Sequence, residues 1–246
     1  MDKTLLIGLS HQLAAFRSMD VIASNIANAS TPGYKRETAQ FQEFIKADPP
    51  SEVERGPQRL SFVVDAGIGR NLIDGNIERT NAPFDLAVNG PGYFTVKTAD
   101  GKDRYTRNGH FTLDLAGHIA THDGALLQGE GGEITVTSDD GDISIAQDGT
   151  VTGAKGQLGK LRLVSFQNER ALSKQGASLY VTDQQANTVE QPNIVQGALE
   201  GSNVEPVVEV SNMLEVMRAY QMTAGLAQSQ EELMRQAIDK LGQPES

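Results

Sequence analysis

The chain has 246 residues, of which 38% are hydrophobic and 22% charged, a composition typical of a soluble protein with one or two hydrophobic cores. Its formal net charge of −11 argues against nucleic acid as a partner, because phosphate binding needs a basic face. The sequence contains no cysteine, so its fold requires no particular redox compartment. No apolar run approaches the ~20 residues of a membrane-spanning helix, and we therefore expect no membrane insertion.

The first thirty residues predict a helix with a narrow apolar stripe. Pro32 disfavours helical backbone at Thr31, so we expect the helix to stop near Ala29. Residues three or four positions apart lie on one face of a helix, the pattern of a coiled-coil seam. The stripe consists of Leu5, Leu9, Leu13, Phe16, Met19, Ala23 and Ile26.

Residues 31–80 predict an extended linker with short strands. The segments Gln40–Ile45 and Leu60–Val64 have extended character, and the prolines and glycine of 49–57 indicate loops between them. A second linker is predicted for residues 183–205, where the chain becomes polar.

Residues 81–182 predict a compact antiparallel β domain. Eight glycines placed seven to nine residues apart indicate tight turns: Gly101, Gly109, Gly117, Gly124, Gly132, Gly141, Gly149 and Gly156. Apolar residues alternate between these turns, which predicts one buried and one exposed face in each strand. The alternating sets are Phe111, Leu113 and Leu115, then Ile134 and Val136, then Ile143 and Ile145.

The last stretch predicts a second long helix, over residues 206–241. Pro206 suits a first helical turn, and Gly242 and Pro244 provide a stop. Ten positions separated alternately by three and four residues form a second stripe: Val210, Met213, Met217, Tyr220, Ala224, Ala227, Glu231, Met234, Ile238 and Leu241.

These elements predict an α+β fold. The antiparallel β domain is inserted between long N- and C-terminal helices that pack as a coiled-coil-like pair, with a terminal helical domain of residues 1–30 and 206–242. The alanines of the two stripes make the seam small. We therefore expect further helices from other subunits to complete the layer.

The sequence predicts no catalytic, cofactor-binding or metal site. His118 and His122 are four residues apart, but hairpin turns frame them, and ligands at this spacing on a strand would be roughly 13 Å apart. The acidic run Asp139-Asp140-Gly141-Asp142 lacks the ligand spacing of a calcium loop. Exposed histidines and a solvated acidic turn are the simpler interpretations.

Three stretches resemble bacterial flagellar rod and hook proteins. Asp20-Val21-Ile22-Ala23-Ser24-Asn25-Ile26-Ala27-Asn28-Ala29-Ser30-Thr31-Pro32-Gly33-Tyr34-Lys35-Arg36 resembles their N-terminal signature. Phe84-Asp85-Leu86-Ala87-Val88-Asn89-Gly90-Pro91-Gly92-Tyr93-Phe94, followed by Tyr105-Thr106-Arg107-Asn108-Gly109, resembles the start of their β domain. Leu199-Glu200-Gly201-Ser202-Asn203-Val204 resembles the signature before their last helix. The family motif residues are Asn25, Asn28, Thr31, Pro32, Gly33, Tyr34, Ser202, Asn203 and Val204.

The resemblance implies a structural subunit of the flagellar basal body, in the rod that spans the periplasm. Its partners would be other rod subunits and the flagellar type III export apparatus, which secretes such proteins without cleaving a signal peptide. The apolar run Thr4–Leu9 is itself too short for a signal peptide. In this family the terminal helices pack into a tube, so the large residues of the two stripes form the predicted assembly interface. These residues are Leu5, Leu9, Leu13, Phe16, Met19, Ile26, Val210, Met213, Met217, Tyr220, Met234, Ile238 and Leu241. Length and the single β insertion most resemble the proximal rod proteins, with the distal rod proteins as the alternative.

Two other classes compete with a rod subunit. A secreted β-rich adhesin or binding module could carry a helical stalk, although such stalks generally occupy one end of a chain. An enzyme would need a cluster of titratable groups in a pocket, and the sequence offers only scattered candidates.

Overall fold

The computed structural model describes residues 3–48, 58–176 and 178–241. They form an N-terminal helix, a C-terminal helix and a central antiparallel β domain, which confirms the α+β class. Among these residues, no helix is both long and apolar enough to cross a membrane. The chain divides into a helical unit, within residues 1–26, 37–69 and 205–246, and a β unit of residues 27–36 and 70–204.

The described residues of the helical unit form both long helices and one pair of strands. Helix α1 spans Lys3–Ala27 and helix α2 spans Pro206–Leu241. The predicted bounds of α2 are confirmed, whereas α1 ends two residues before the predicted stop. The rings of Phe16 on α1 and Tyr220 on α2 have centroids 5.0 Å apart.

The paired strands of the helical unit are longer than the sequence predicts. Strands β1 (Glu37–Asp48) and β2 (Gln58–Arg70) have 12 and 13 residues and form a two-stranded sheet. The predicted segments Gln40–Ile45 and Leu60–Val64 lie inside them. Backbone hydrogen bonding extends strands into polar residues, because a ladder does not require apolar side chains. The predicted loop at 49–57, Gly242 and Pro244 lie outside the described residues.

The described residues of the β unit form short strands in four sheets. The strands are β3 (Ile77–Arg79), β4 (Leu86–Val88), β5 (Tyr93–Lys97), β6 (Asp103–Thr106), β7 (Phe111–Leu113), β8 (Ile119–Thr121), β9 (Leu126–Gly129), β10 (Gly132–Glu133), β11 (Ser144–Ile145), β12 (Thr150–Gly153), β13 (Gly156–Lys160), β14 (Leu163–Ser165), β15 (Ser173–Gln175), β16 (Leu179–Val181), β17 (Asn187–Thr188), β18 (Ile194–Gln196) and β19 (Ala198–Glu200). The largest sheet has ten strands and runs β15-β16-β6-β5-β9-β8-β7, with β10 on β9, β14 on β5, and β17 on β14. The smaller sheets are β11-β12-β13, β18-β4 and β19-β3.

Hydrophobic clusters cover both faces of the largest sheet. On β5, Phe94 packs in the larger cluster and its neighbour Tyr93 in the smaller one, because successive side chains of a strand point to opposite faces. Leu163 and Val164 divide in the same way on β14, opposite Phe94 and Tyr93.

The predicted alternation holds for two of its three sets. The described side chains of the sets beginning at Ile134 and Ile143 are buried, as is Phe111. The prediction is wrong for Leu113 and Leu115, which are exposed, Leu115 completely. Strand β7 lies at the end of the strand order and stops at Leu113, so Leu115 falls in the hairpin tip beyond it.

Seven of the eight predicted turn glycines have positive φ, and Gly109 is the exception. At Gly109 the requirement is space. A Cβ atom there would overlap the carbonyl group of Leu86, whose N–H donates to the Gly109 carbonyl at 3.0 Å.

Candidate functional site: buried motif residues and exposed helix stripes

Four charged side chains form a cluster inside the β unit, and we call Lys35, Asp74, Arg107 and Glu200 the motif cluster. Lys35 Nζ lies 2.7 Å from Glu200 Oε1 and 3.0 Å from Asp74 Oδ1. Arg107 Nη1 lies 3.3 Å from Glu200 Oε2, and Nη2 lies 3.5 Å from Asp74 Oδ1. The side chains of Lys35, Arg107 and Glu200 are at most 4% exposed, whereas that of Asp74 is 45% exposed.

Backbone groups add further hydrogen bonds to this cluster. Lys35 Nζ donates to the Ile73 carbonyl at 2.9 Å, and Arg107 Nη2 donates to the Gly90 carbonyl at 2.8 Å. The N–H of Gly75 donates to Glu200 Oε1 at 3.1 Å. Buried charges are stable when they are paired and hydrogen-bonded, and here two cations balance two anions. The cluster therefore fastens together five separate stretches of the β unit.

Arg107 also contacts the smaller hydrophobic cluster. Its guanidinium carbon lies 5.2 Å from the ring centroid of Tyr93, and the Tyr93 hydroxyl donates to Glu169 Oε2 at 3.0 Å. Burial, followed by the nearby Glu169 carboxylate, raises the pKa of the Tyr93 phenol above its ordinary value. Tyr93 is therefore a neutral hydrogen-bond donor at physiological pH.

The Pro32-Gly33-Tyr34 motif forms the turn that leads to Lys35. Gly33 has φ of 68°, and its N–H donates to the Glu200 carbonyl at 2.7 Å. A Cβ at this position would lie 2.6 Å from the Arg107 carbonyl oxygen and overlap that backbone. Both the left-handed conformation and the close approach therefore require glycine. Tyr34 is only 1% exposed, and Lys174 Nζ lies 4.2 Å from its ring centroid.

Asn203 connects the second signature to the first. Its Nδ2 donates to the carbonyls of Asn71 at 3.0 Å and Ile73 at 2.7 Å, and its Oδ1 accepts from the Arg36 N–H at 2.6 Å. Its own N–H donates to the Tyr34 carbonyl at 3.3 Å. An asparagine supplies donors and an acceptor together, which an aspartate cannot do when ionised.

The adjoining motif residues have local or packing roles. The Ser202 hydroxyl accepts from the N–H of Val204 at 3.2 Å, and Val204 is buried. Near the end of the first signature, the Thr31 hydroxyl donates to Asn28 Oδ1 at 3.2 Å.

In the helical unit, Asn25 is the buried motif residue. Its Nδ2 donates to the Glu37 carbonyl at 2.8 Å, while its Oδ1 accepts from the Glu37 N–H at 2.9 Å. The same amide nitrogen lies 3.2 Å from Glu209 Oε2 on α2. Asn25 and Glu209 are at most 1% exposed, so this amide joins α1, the start of β1 and α2.

Of the predicted assembly residues whose side chains the structure describes, five are exposed and four are partly buried. Exposure reaches 47% at Leu9, 60% at Leu13, 49% at Phe16, 49% at Val210 and 41% at Met217. Met19, Ile26, Met213 and Tyr220 are partly buried. The side chains of Leu5, Met234, Ile238 and Leu241 lie outside the described part of the structure.

Two of the four histidines lie beside aspartates. His110 Nδ1 lies 2.7 Å from Asp85 Oδ1, and His118 Nδ1 lies 3.1 Å from Asp114 Oδ2. His122 is exposed. Across residues 3–48, 58–176 and 178–241, no three histidine, aspartate or glutamate side chains are grouped as metal ligands would be.

The sequence did not predict the motif cluster. A signal was present, because Lys35, Arg107 and Glu200 all stand inside the three signature stretches. No spacing within or between these stretches indicates that the three charged side chains meet. Asp74 lies outside every signature, and its role depends on the tertiary fold alone.

Comparisons with known proteins assign a family to these features. Residues 5–35 match the family model described as flagella basal body rod protein, and residues 87–153 match the flagellar hook protein FlgE/F/G D1 domain. Residues 195–240 match the flagellar basal body rod FlgEFG protein C-terminal model.

Full-length relatives agree with the family models. The chain is 37% identical to the flagellar basal-body rod protein FlgF of Caulobacter vibrioides over 98% of this chain and 99% of the relative. It is 31% identical to FlgG of Buchnera aphidicola subsp. Acyrthosiphon pisum, over 89% and 92% of the two chains. It is 28% identical to FlgF of Mesorhizobium japonicum, over 98% and 99%. The chain therefore belongs to the flagellar basal-body rod protein family.

Proposed function

We propose that the chain is a structural subunit of the proximal rod, as FlgF proteins are expected to be, and that it catalyses nothing. The match to FlgF of Caulobacter vibrioides over nearly the whole of both chains supports this position. The distal-rod role of FlgG proteins is the alternative, since relatives of that name match at 31% identity. An adhesin would not be expected to match rod proteins along its full length.

The observation that carries the proposal is the exposure of the two helix stripes. Leu13 and Phe16 on α1 and Val210 and Met217 on α2 are all more than 40% exposed. Large apolar side chains that stay exposed on a helix are expected to be covered when they form a protein–protein interface. We propose that α1 and α2 pair as a coiled coil, with the Phe16–Tyr220 contact as one of its layers, and that helices of neighbouring subunits cover the remaining stripe.

This role places the protein in the basal-body rod, with other rod subunits and the type III export apparatus as partners. Export by that route needs no cleaved signal, so protein recovered from basal bodies should retain α1. N-terminal sequencing tests this. A first residue at or beyond about position 20 would indicate signal-peptide cleavage and favour the adhesin class.

Met217→Asp tests the assembly proposal. Met217 is 41% exposed in the isolated chain, so the substitution should change the melting temperature of the soluble protein little. In a packed seam the same carboxylate would be buried without a partner, which costs several kcal/mol. We expect the variant to be made and exported but not incorporated into the rod, and cells to lose motility.

Ser229→Asp provides the matched control. Ser229 lies on the same exposed helix, and its hydroxyl donates to the Gly225 carbonyl one turn earlier. It is off the stripe, so its replacement should leave motility near wild type. Normal swimming by Met217→Asp would contradict the seam. A separate experiment, crosslinking within isolated basal bodies, would distinguish a proximal from a distal position of the subunit in the rod.

A further inference from the structure

The β unit has an apolar cavity of about 260 Å³ beside the β7–β8 hairpin. Its apolar lining comes from strand β7, the segment before β4 and the region around β10 and β11. The apolar lining residues are Pro83, Phe84, Leu113, Val136 and Ile143, with Ser138 and Asp142 among the polar ones. Leu113 is 39% exposed, so the cavity continues into an apolar surface.

A fully exposed leucine stands at the tip of the same hairpin. Leu115 lies two residues beyond Leu113 and does not line the cavity. Its turn is rigid, because Asp114 Oδ1 accepts from the N–H groups of Ala116 and His118, both at 2.8 Å. The His118 N–H in particular lowers the pKa of Asp114, so the carboxylate keeps these bonds at neutral pH. A backbone turn that is already ordered loses little entropy on binding.

We propose that Leu115 of one subunit inserts into the apolar cavity, lined by Phe84 and Leu113, of a neighbouring copy of this chain. Single exposed leucines are common on protein surfaces and need no partner. Here the same hairpin presents both an apolar projection and an apolar cavity, and the N–H of Val136 donates to the Gly117 carbonyl at 2.7 Å, which ties the turn to the cavity wall. A contact between two different surfaces of the same chain is head-to-tail, the type that generates rings and helical assemblies.

A contact this small can form only with a copy of the chain that another interface already holds nearby. A leucine is smaller than the aromatic side chains that bury about 150–250 Å² each. One such contact is far below the roughly 1,200 Å² of a stable interface. It becomes effective only between subunits that another interface holds together, which raises their effective concentration. A second rod subunit satisfies this condition, whereas a free soluble partner does not. The inference therefore rests on the proposed function.

Disulfide trapping tests the contact, because the chain has no cysteine of its own. Cells would produce two full-length variants together, Leu115→Cys and a size-tagged Ser138→Cys, so that an intermolecular bond is recognised by its mass. Basal bodies would be isolated and oxidised. The control pair replaces Ser138→Cys by Asp183→Cys, an exposed position that lines a different cavity of the β unit.

We expect the Leu115–Ser138 pair to crosslink about tenfold or more above the control pair in basal bodies, and neither pair to crosslink in dilute soluble protein. Equal crosslinking of the two pairs in basal bodies that contain both variants would overturn the contact and leave the rod assignment intact. If basal bodies contain neither the two variants nor the cysteine-free parent protein, the rod assignment is overturned, and this inference with it.

Discussion

Replacing Glu200 by alanine removes the anion that bridges both buried cations of the motif cluster. Lys35 and Arg107 are 2% and 4% exposed, and each has one carboxylate oxygen of Glu200 within 3.3 Å. After the substitution Asp74 is the one carboxylate of the motif cluster left beside them, and its side chain is 45% exposed. Two positive charges would then lie close together with one largely solvated counter-ion.

The expected loss of stability follows from that geometry. Breaking a buried ion pair by removing one partner costs about 3–5 kcal/mol, because the other charge stays buried without compensation. Domains are stable by only about 5–15 kcal/mol, so the β unit would lose a large part of its free energy of unfolding. For a unit of this size we expect the melting temperature to fall by roughly 6–20 °C.

Thermal and urea unfolding of the soluble full-length protein would measure this loss. Circular dichroism at the wavelength of the β-sheet signal would monitor the unfolding. Lys155→Ala is the control, because it breaks an ion pair with Asp139 in which both side chains are at least 60% exposed. Exposed pairs contribute about 0–1 kcal/mol, so this variant should unfold like wild type. An E200A protein within 1 kcal/mol of K155A would refute the view that the cluster fastens the β unit.

Three other variants test separate features. Gly33→Ala should destabilise the β unit by about 2 kcal/mol or more in urea unfolding, and by more than Gly101→Ala, where φ is also positive but a Cβ meets open space; equal losses would mean that close packing at Gly33 is unimportant. Hydrogen bonds from Thr137, the hydroxyl first, lower the pKa of Asp140 from 3.8, so its contribution to stability is present above pH 3.8 and is lost as the pH falls through the folded-state pKa. D140N should therefore unfold with a shallower pH dependence below about pH 4, and an unchanged acid titration would contradict this. Replacing His118 and His122 together by glutamine should leave motility near wild type, and a motility loss accompanied by bound transition metal in the parent protein would restore a metal site.

The long helices could be predicted because their signals are local. Pro206 begins α2, and the three-and-four spacing of apolar residues continues to Leu241, as the structure has it. Such spacing reflects helix geometry alone and needs no knowledge of the partner. The same property limits the prediction, since the stripes indicate that the helices must be covered without identifying what covers them.

The β unit could be predicted in outline and not in detail. Turn glycines and alternating residues indicated antiparallel strands, yet Leu113 and Leu115 fit the alternation and are exposed. Alternation predicts which residues share a face and cannot predict where the core ends. Which strand lies at a sheet edge depends on pairings between residues far apart in the sequence, such as β16 with β6.

The signature stretches contain two physically different kinds of residue. Lys35, Arg107, Glu200 and Asn203 are held by contacts within the β unit, and three of these four have side chains too buried to reach another subunit. Replacing them should therefore first lower the stability of the isolated protein against unfolding. The exposed positions of the helix stripes have the opposite property. Leu13 and Met217 are exposed in the single chain, so their replacement should affect assembly and not the folding of the isolated protein. These residues of the signature stretches thus maintain the fold of the β unit, as Asn25 does that of the helical unit. The less distinctive apolar stripes provide the surface through which, as we propose, subunits join.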